Sequence, residues 1–229
     1  MTIGERFGLQ RFPIVTATVF GVTAFSNILQ FCVPGMLERL QRTPAGLHGD
    51  WWRTLTSLFV QDGGVAGTLS NLAFLVASGT VAEQVISRPR WLVCYFGAGL
   101  AAEFAGYAWQ PYGGGNSVAI CGLAGAIAMA LWLGDERLPA FAPMLLMFWC
   151  GALLSSLWYP LLAIGIAVGV LIRIGVERGV AVARPAAVAA LVTAVVVAVA
   201  QDFHGAALMA GLAIAGVLAL VARRRVTVA

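Results

Sequence analysis

The chain of 229 residues has few charged residues and no lysine. Only 10% of its residues are charged, whereas 60% are hydrophobic and the mean hydropathy is +0.89. A soluble domain carries roughly 25% charged residues, so this composition excludes a large soluble domain and indicates an integral membrane protein. All 14 basic residues are arginines. They lie in short loops and form no single patch, which argues against a nucleic-acid partner.

Histidine and cysteine are also scarce. The two histidines, His48 and His204, are too few for a histidine-based metal site. The four cysteines form no C-x-x-C pair, and they lie in apolar stretches as small hydrophobic residues do. We therefore expect neither a metal nor another cofactor. The cysteines are Cys32, Cys94, Cys121 and Cys150.

Long apolar segments follow one another through the chain, and a membrane-spanning helix needs about 20 apolar residues. We predict an all-α polytopic transmembrane bundle of about eight spans, with residues 1–229 forming one integral membrane domain. The first apolar run lacks a signal-peptide cleavage pattern, so we expect it to be a retained helix. The fifth and sixth segments share one run that also fits a helix and a re-entrant piece. The predicted helices are 13–33, 65–86, 90–109, 117–134, 140–156, 158–175, 185–201 and 204–222.

The arginines predict the orientation of these helices. With a cytoplasmic N-terminus, three arginines (Arg39, Arg42 and Arg53) lie in outer segments, and the other 11 lie in inner ones. This bias satisfies the positive-inside rule, so we expect a multi-pass protein of the plasma membrane with both termini in the cytoplasm. The inner arginines are Arg6, Arg11, Arg88, Arg90, Arg137, Arg173, Arg178, Arg184, Arg223, Arg224 and Arg225.

Three polar residues from distant parts of the chain enter the predicted bundle at similar depth. Asn71, Ser117 and His204 lie in the outer halves of helices that run inward from the same side. Polar groups in membrane spans are costly and usually functional. A serine hydroxyl and an imidazole are the minimum equipment for an activated nucleophile and its base.

Small residues follow Ser117 and His204 along one face of each helix. Small faces let membrane helices approach closely, so we predict that these two helices pack together with Ser117 and His204 at the top of the seam. Ordinary packing in an alanine-rich chain is the alternative. The faces are Cys121, Ala124 and Ala128, and Ala207, Gly211 and Ala215.

Three glycines, residues 113–115, precede Ser117. Glycine permits close backbone approach, so this loop can start the helix inside the membrane and aim backbone N–H groups at a developing oxyanion. An ordinary surface turn is the alternative.

The chain resembles the rhomboid family of intramembrane serine proteases over roughly residues 50–222. The resemblance implies a Ser117 nucleophile and a His204 base without a required aspartate. It also implies an oxyanion hole using Asn71 and the Ser117 N–H, and it assigns Gly115 and Asn116 to the oxyanion and substrate-binding set. The implied substrate is a membrane protein helix with an unstable, small-residue sequence near its outer end. The residues that carry the resemblance are Trp52, Arg53, Asn71, Gly79, Glu83, Gly115, Asn116, Ser117, Gly125, His204 and Gly211.

The chain departs from the family pattern in four ways. Val118 follows the serine in place of glycine, Gly67 stands where a histidine usually precedes the oxyanion asparagine, and Cys121 replaces an aromatic residue under the imidazole. An extra helical hairpin separates Ser117 from His204, compared with a six-helix core. It preserves parity, so His204 still enters from the serine's side.

The remaining polar residues leave alternatives open. An intramembrane serine protease is the function we expect. The three lost supports motivate an alternative, a catalytically silent rhomboid-like protein that binds transmembrane helices, although the retention of Ser117 and His204 speaks against it. Glu103 raises a third possibility, a small proton-coupled transporter. We expect Glu103 to be neutral and structural, or to support His204. Glu83 is expected to pair with Arg88 and Arg90, and Asp202 to cap the last helix. An unperturbed histidine titrates near 6.5, so protease activity is expected to fall as the pH drops through that region.

Overall fold

The computed structural model describes residues 9–227, with side chains described as far as Arg224, so Arg6 and the side chain of Arg225 lie outside it. Among the described residues, eight long helices, α1 to α8, correspond one by one to the predicted spans, and the predicted all-helical membrane bundle is confirmed. Their bounds are α1 Ile14–Cys32, α2 Gly64–Val85, α3 Arg88–Trp109, α4 Ser117–Leu133, α5 Ala142–Leu154, α6 Leu161–Glu177, α7 Ala183–Val199 and α8 Phe203–Thr227.

The lengths and composition of the helices suit a multi-pass membrane protein. By these criteria α1, α2 and α8 are long and apolar enough to cross a bilayer, and α4, α5 and α7 are shorter apolar helices. Large hydrophobic side chains such as Phe25, Leu171 and Val199 are exposed on the outside of the bundle, where lipid can cover them. Helix α5 has 13 residues, a rise of about 20 Å, and is therefore shorter than a hydrocarbon core of about 30 Å.

Helix α4 lies at the centre of the bundle. Almost all of its residues from Val118 to Leu131 are buried, because α2, α3, α5, α7 and α8 all pack against it. Its C-terminus is closed by Gly134 in the left-handed region, with φ of +70°, a conformation that glycine adopts without strain. The Ser117 end of the bundle is the end at which α4 begins.

Glycines bring α4 and α8 into backbone contact. A Cβ atom on Gly211 would lie 2.7 Å from the Cα of Gly122, and one on Gly125 would lie 2.5 Å from the carbonyl carbon of Gly211. The prediction that these helices pack together is confirmed. The closest approach on α4 uses Gly122 and Gly125, each one position after a residue of the predicted face, because only glycine leaves the backbone bare.

Helices α5 and α6 form the extra hairpin, and its two members are not equivalent. They meet at Gly151 and Gly165, where a Cβ on Gly151 would lie 2.6 Å from the Cα of Gly165. Helix α5 also packs against α7, α4 and α2 and contributes to the hydrophobic core. In α6 only Gly169 is buried, so this helix lies at the periphery.

The end of the bundle opposite Ser117 is tied together by Glu83. Its carboxylate accepts hydrogen bonds from the backbone N–H of Val15 at 3.1 Å and from the N–H and hydroxyl of Thr16 at 3.0 and 2.9 Å. These N–H groups belong to the first turn of α1 and have no partner within that helix. The predicted pairing with Arg88 exists only as a longer 3.8 Å contact, and the carboxylate serves mainly to cap α1.

The segment between α1 and α2 is built from short helical turns over Met36–Leu40, Pro44–Leu47, Arg53–Thr56 and Ser57–Phe59. It is anchored to α1 by Gln30, whose side-chain amide exchanges two 2.7 Å hydrogen bonds with the backbone N–H and carbonyl of Gln61. Trp51 and Trp52 are exposed, as expected for residues at a membrane interface.

Arg42 leaves this segment and enters the bundle. Its guanidinium lies 2.6 Å from the carboxylate of Glu103 on α3, and both side chains are almost completely buried. It also donates to the carbonyl oxygen of Gln110 at 2.7 and 3.2 Å. The expectation of a neutral Glu103, or of one that supports His204, missed this partner, because Arg42 had been placed in an outer loop. The pair fastens the loop to the end of α3.

The glycine contact between α4 and α8 predicts the effect of adding a methyl group. Gly211→Ala should lower the stability of the folded protein by about 1–3 kcal/mol, because overpacked backbone cannot move aside. Gly216→Ala on the same helix is the matched control, since its Cβ would meet only the flexible end of Met129 at 3.3 Å. Thermal unfolding in detergent measures both variants, and equal unfolding temperatures would contradict the tight seam.

The buried ion pair predicts a non-additive response. Arg42→Met should cost about 3–5 kcal/mol, because it leaves the Glu103 carboxylate buried without its partner. The double variant Arg42→Met/Glu103→Leu should recover most of this loss, since both charges are then removed. Reversible unfolding of the wild type, the two single variants Arg42→Met and Glu103→Leu, and the double variant gives the coupling energy between the two side chains. If the effect of the double variant equals the sum of the two single effects, the pairing is refuted.

Candidate functional site

Ser117 and His204 meet at the Ser117 end of the α4–α8 seam. The distance between Ser117 Oγ and His204 Nε2 is 2.8 Å, within hydrogen-bonding range although 87 positions separate the residues. Both side chains are half-buried, so they are accessible from one side. Each is placed by a helix start: Ser117 is the first residue of α4, and His204 is the second residue of α8.

The loop before Ser117 is held on both sides by backbone hydrogen bonds. Gly113 forms an antiparallel bridge with Arg42, and the N–H of Gly115 donates to the carbonyl oxygen of Ser57 at 2.9 Å. Gly114 accepts from the N–H of Asp62 at 3.0 Å and donates to the carboxylate of the same residue at 3.2 Å. Residues 113–115 thus form an ordered loop, and they do not form an ordinary surface turn.

A cavity of about 370 Å³ opens in front of the two residues. Its lining combines the hydroxyl and the imidazole with the backbone of Gly114 and Gly115 and several polar side chains, so it suits water and other polar groups. The residues that line it are Asp62, Gln110, Tyr112, Gly114, Gly115, Ser117, Phe203 and His204.

Asp202 contacts the far side of His204. One carboxylate oxygen, Oδ1, accepts the backbone N–H of His204 at 3.0 Å and lies 2.7 Å from Nδ1 of the ring. The first contact confirms the prediction that Asp202 caps the last helix. The second was not predicted from the sequence, although an acidic residue two positions before the histidine was the available signal.

The charge of Asp202 is favoured by its contacts. Burial alone raises the pKa of a carboxyl group, but the hydrogen bonds and charge of His204 outweigh it and hold the pKa of Asp202 below its usual range. The usual aspartate value is about 3.9. Because the folded pKa is depressed, the contacts of ionised Asp202 stabilise the fold above that value, and the stabilisation is lost as the pH falls through the lowered pKa.

The other residues of the predicted set are arranged less directly. Asn116 is buried, its side chain lies beside the hydroxyl of Tyr95 in the core, and it does not line the cavity. Gly115 uses its N–H on Ser57, and its contribution is space: a Cβ there would lie 2.6 Å from Gln61 Oε1 and 3.5 Å from Ser117 Oγ. Asn71 is half-buried on α2, which packs against α4, but it is not among the residues that line the cavity.

Gln61 is a buried neighbour of the site that was not predicted. Its side chain lies between Gly67 and Gly115. The Cγ atom is 3.9 Å from a Cβ built on Gly67, and Oε1 lies close to Gly115. Gln61 is only 4% exposed, and its backbone is fixed by Gln30. It therefore fills part of the space beside the missing histidine at position 67. No local pattern around residue 61 signals this, because the contacts come from distant segments.

The other two departures from the family pattern are both buried. Val118 and Cys121 have no exposed surface, so neither side chain enters the cavity. Neither residue therefore changes the lining of the cavity, and the ring beside His204 is its chain neighbour Phe203, at 4.6 Å between ring centroids.

Comparison with known proteins gives the same family as the resemblance of the sequence. Residues 48–222 match the family described as Rhomboid domain, and no solved structure matches the chain. The chain is similar to Rhomboid protease GluP of Bacillus subtilis (strain 168), with 35% identity over 81 residues. That similarity covers 35% of this chain and only 16% of the relative's length. Because the family match extends over most of the chain, including the segments that carry Ser117 and His204, this chain belongs to the rhomboid family.

Proposed function

We propose that this protein is an intramembrane serine protease that hydrolyses peptide bonds in or near transmembrane segments of membrane proteins. The observation that carries the proposal is the 2.8 Å contact between Ser117 Oγ and His204 Nε2 at the edge of the cavity. Membership of the rhomboid family supports it. In this proposal Ser117 is the nucleophile and His204 is the general base.

The chemistry needs only groups that the chain places there. As Ser117 Oγ attacks the scissile carbonyl carbon, its proton passes to Nε2 of His204. The protonated imidazole then gives this proton to the leaving amide nitrogen, so the peptide C–N bond breaks and an acyl-serine remains. A water molecule from the cavity, deprotonated by the same imidazole, attacks the ester, and the departing Oγ takes the proton back.

An oxyanion develops on the carbonyl oxygen during each attack and requires hydrogen-bond donors. Ser117 is the first residue of α4, and the first N–H groups of a helix have no partner within it. We assign one donor to the Ser117 N–H and a second to the side-chain amide of Asn71. We also place Gly115 and Asn116 in this subsite, because Gly115 leaves space beside Ser117 Oγ and Asn116 is the residue from which α4 starts.

The substrate belongs to the same bilayer. We propose a transmembrane helix whose end nearest the site unwinds easily, because a peptide bond must leave its helix to reach Ser117. From the arginine distribution we propose that the Ser117 end lies at the outer face of the plasma membrane and that both termini lie in the cytoplasm. The transporter hypothesis is weakened, because Glu103 is ion-paired with buried Arg42 and is not a free protonatable group.

Labelling with a fluorophosphonate probe tests the Ser–His pair directly. The purified protein in detergent should be labelled, and Ser117→Ala and His204→Ala should each abolish labelling, because one removes the nucleophile and the other its base. Ser155→Ala and His48→Ala are the matched controls. Ser155 bonds a backbone carbonyl in a turn, His48 is exposed in a loop, and both variants should be labelled like the wild type.

A folded wild-type protein that resists labelling would reject the protease proposal. The catalytically silent helix-binding protein would then be the better description, because Gly67, Val118 and Cys121 depart from the family pattern. Circular dichroism and monodisperse gel filtration establish that the unlabelled protein is folded.

The oxyanion assignment predicts a rate effect at Asn71. Asn71→Ala should reduce cleavage of a transmembrane reporter roughly 10²- to 10³-fold, which is the loss on removing one such donor. The unfolding temperature should hardly change, because Asn71 is only half-buried. A cleavage rate within about threefold of the wild type, well short of that loss, would remove Asn71 from the oxyanion hole.

A further inference from the structure

The turn between α7 and α8 fixes the backbone of Asp202. At the end of α7, the N–H of Gln201 donates to Ala198 at 2.9 Å and the N–H of Asp202 donates to Val197 at 3.1 Å. These two bonds form a Schellman motif. Asp202 is therefore the last bonded residue of one helix end and the cap of the next helix, which begins at Phe203.

The residue before Asp202 adopts an unusual conformation to make this turn. Gln201 has φ of +59° and is the one non-glycine residue with a positive φ between residues 9 and 227. The corresponding position after α4 is Gly134, the usual choice for a left-handed residue. A conformation that glutamine rarely adopts is thus maintained three positions before His204, and it places the backbone of Asp202 at the start of α8.

The Asp202 carboxylate does more than cap α8. Capping requires only its bond to the N–H of His204, yet the same oxygen also lies 2.7 Å from Nδ1 of the imidazole. A carboxylate accepts hydrogen bonds and donates none, so Nδ1 carries the hydrogen of the neutral ring. Nε2 then presents its lone pair to Ser117 Oγ, 2.8 Å away. This is the tautomer that a general base requires.

We propose that Asp202 is a positioning residue that completes an Asp202–His204–Ser117 triad, in contrast to the aspartate-independent pair that the family resemblance implies. Its carboxylate orients the imidazole, selects the Nδ1–H tautomer and stabilises the imidazolium that forms when Ser117 gives up its proton. Asp202 itself remains ionised throughout. The proposal rests on the proposed protease function for its role, but the hydrogen bond to Nδ1 can be tested without activity.

The other charged groups around His204 do not replace Asp202. Glu103 on α3 is bound by Arg42 at 2.6 Å, and the same guanidinium lies 4.4 Å from the centre of the Phe203 ring. Asp62 lines the cavity, and its carboxylate accepts the N–H of Gly114. Among the described carboxylates, Asp202 is the one that is hydrogen-bonded to the imidazole.

Asp202→Asn isolates the role of the charge. Asparagine is as good a helix cap as aspartate, so α8 should still begin at Phe203. The labelling rate should fall roughly 10²- to 10⁴-fold, because an amide NH₂ facing Nδ1 favours the wrong tautomer, as in Ser-His-Asp proteases. Asp135→Asn removes a carboxylate bonded to Arg137 far from the site and should label like the wild type.

The pH profile separates positioning from a structural effect. Wild-type labelling should decline as His204 is protonated, and in Asp202→Asn the midpoint of this decline should move to lower pH, because the imidazolium has lost its anionic partner. A variant that is only destabilised would show a smaller labelled fraction, but the pH midpoint of the decline would not change. An unchanged rate and midpoint in Asp202→Asn would overturn the proposal.

The scarcity of histidine permits a test that does not depend on activity. The chain has two histidines, so ¹⁵N-histidine labelling yields two imidazole spin systems, and His48→Gln assigns them. At about pH 8, where a free histidine is neutral, His204 should show a protonated Nδ1 in the wild type and lose this preference in Asp202→Asn. Unchanged signals would refute the Asp202 contact. If the tautomer depends on Asp202 but the wild type does not react with the fluorophosphonate probe, the protease function is refuted and the Asp202 contact is upheld.

Discussion

Backbone contact between α4 and α8 is the constraint on which the candidate site depends. Ser117 and His204 start these two helices, and a hydrogen bond of 2.8 Å tolerates little displacement of either one. Gly125 and Gly211 set the spacing because a Cβ on either would overlap the facing backbone, and a Cβ on Gly122 would overlap the backbone of Cys94 on α3. In a membrane, where lipid is as apolar as the helices, close packing of this kind replaces the hydrophobic effect as the force that joins them. The contact between Ser117 and His204 therefore depends on the glycines that lie further along the same pair of helices.

The helices and the meeting of serine with histidine follow from rules that act locally. Span length, hydropathy and small-residue faces are properties of short windows, and they predicted all eight long helices and the pairing of α4 with α8. The burial of Arg42 and the position of Gln61 depend on how a loop folds back onto helices dozens of residues away, and no periodicity reports that. Asp202 lies between these cases. Its capping role was predictable from one residue, but its bond to the imidazole depends on the turn that Gln201 makes.

The departures from the family pattern are distributed around the site in an orderly way. Val118 and Cys121 are buried within the bundle, and the side chain of Gln61 lies in the space beside Gly67. The support that an aromatic residue would give to the imidazole is absent from α4. On the opposite side of the ring, a carboxylate bonds to Nδ1. The imidazole of His204 thus lacks an aromatic neighbour on α4, but it has a carboxylate partner in the turn that precedes α8.

The two helices of the extra hairpin, α5 and α6, also differ in how they are packed. Helix α5 is part of the hydrophobic core, whereas α6 has Gly169 as its single buried residue and reaches the rest of the bundle mainly through α5. Insertion of a pair of helices keeps every later helix running in its original direction. This pair therefore adds surface at the periphery without changing the side from which His204 enters.

The order of the helices along the chain also has a consequence for biosynthesis. Ser117 enters the membrane with the fourth helix, but its hydrogen-bond partner arrives only with the eighth, after the hairpin and α7 have been made. A ribosome-bound intermediate that ends before α8 contains the serine without the imidazole and the aspartate. The contact between Ser117 and His204 can therefore form only after synthesis has passed the turn between α7 and α8.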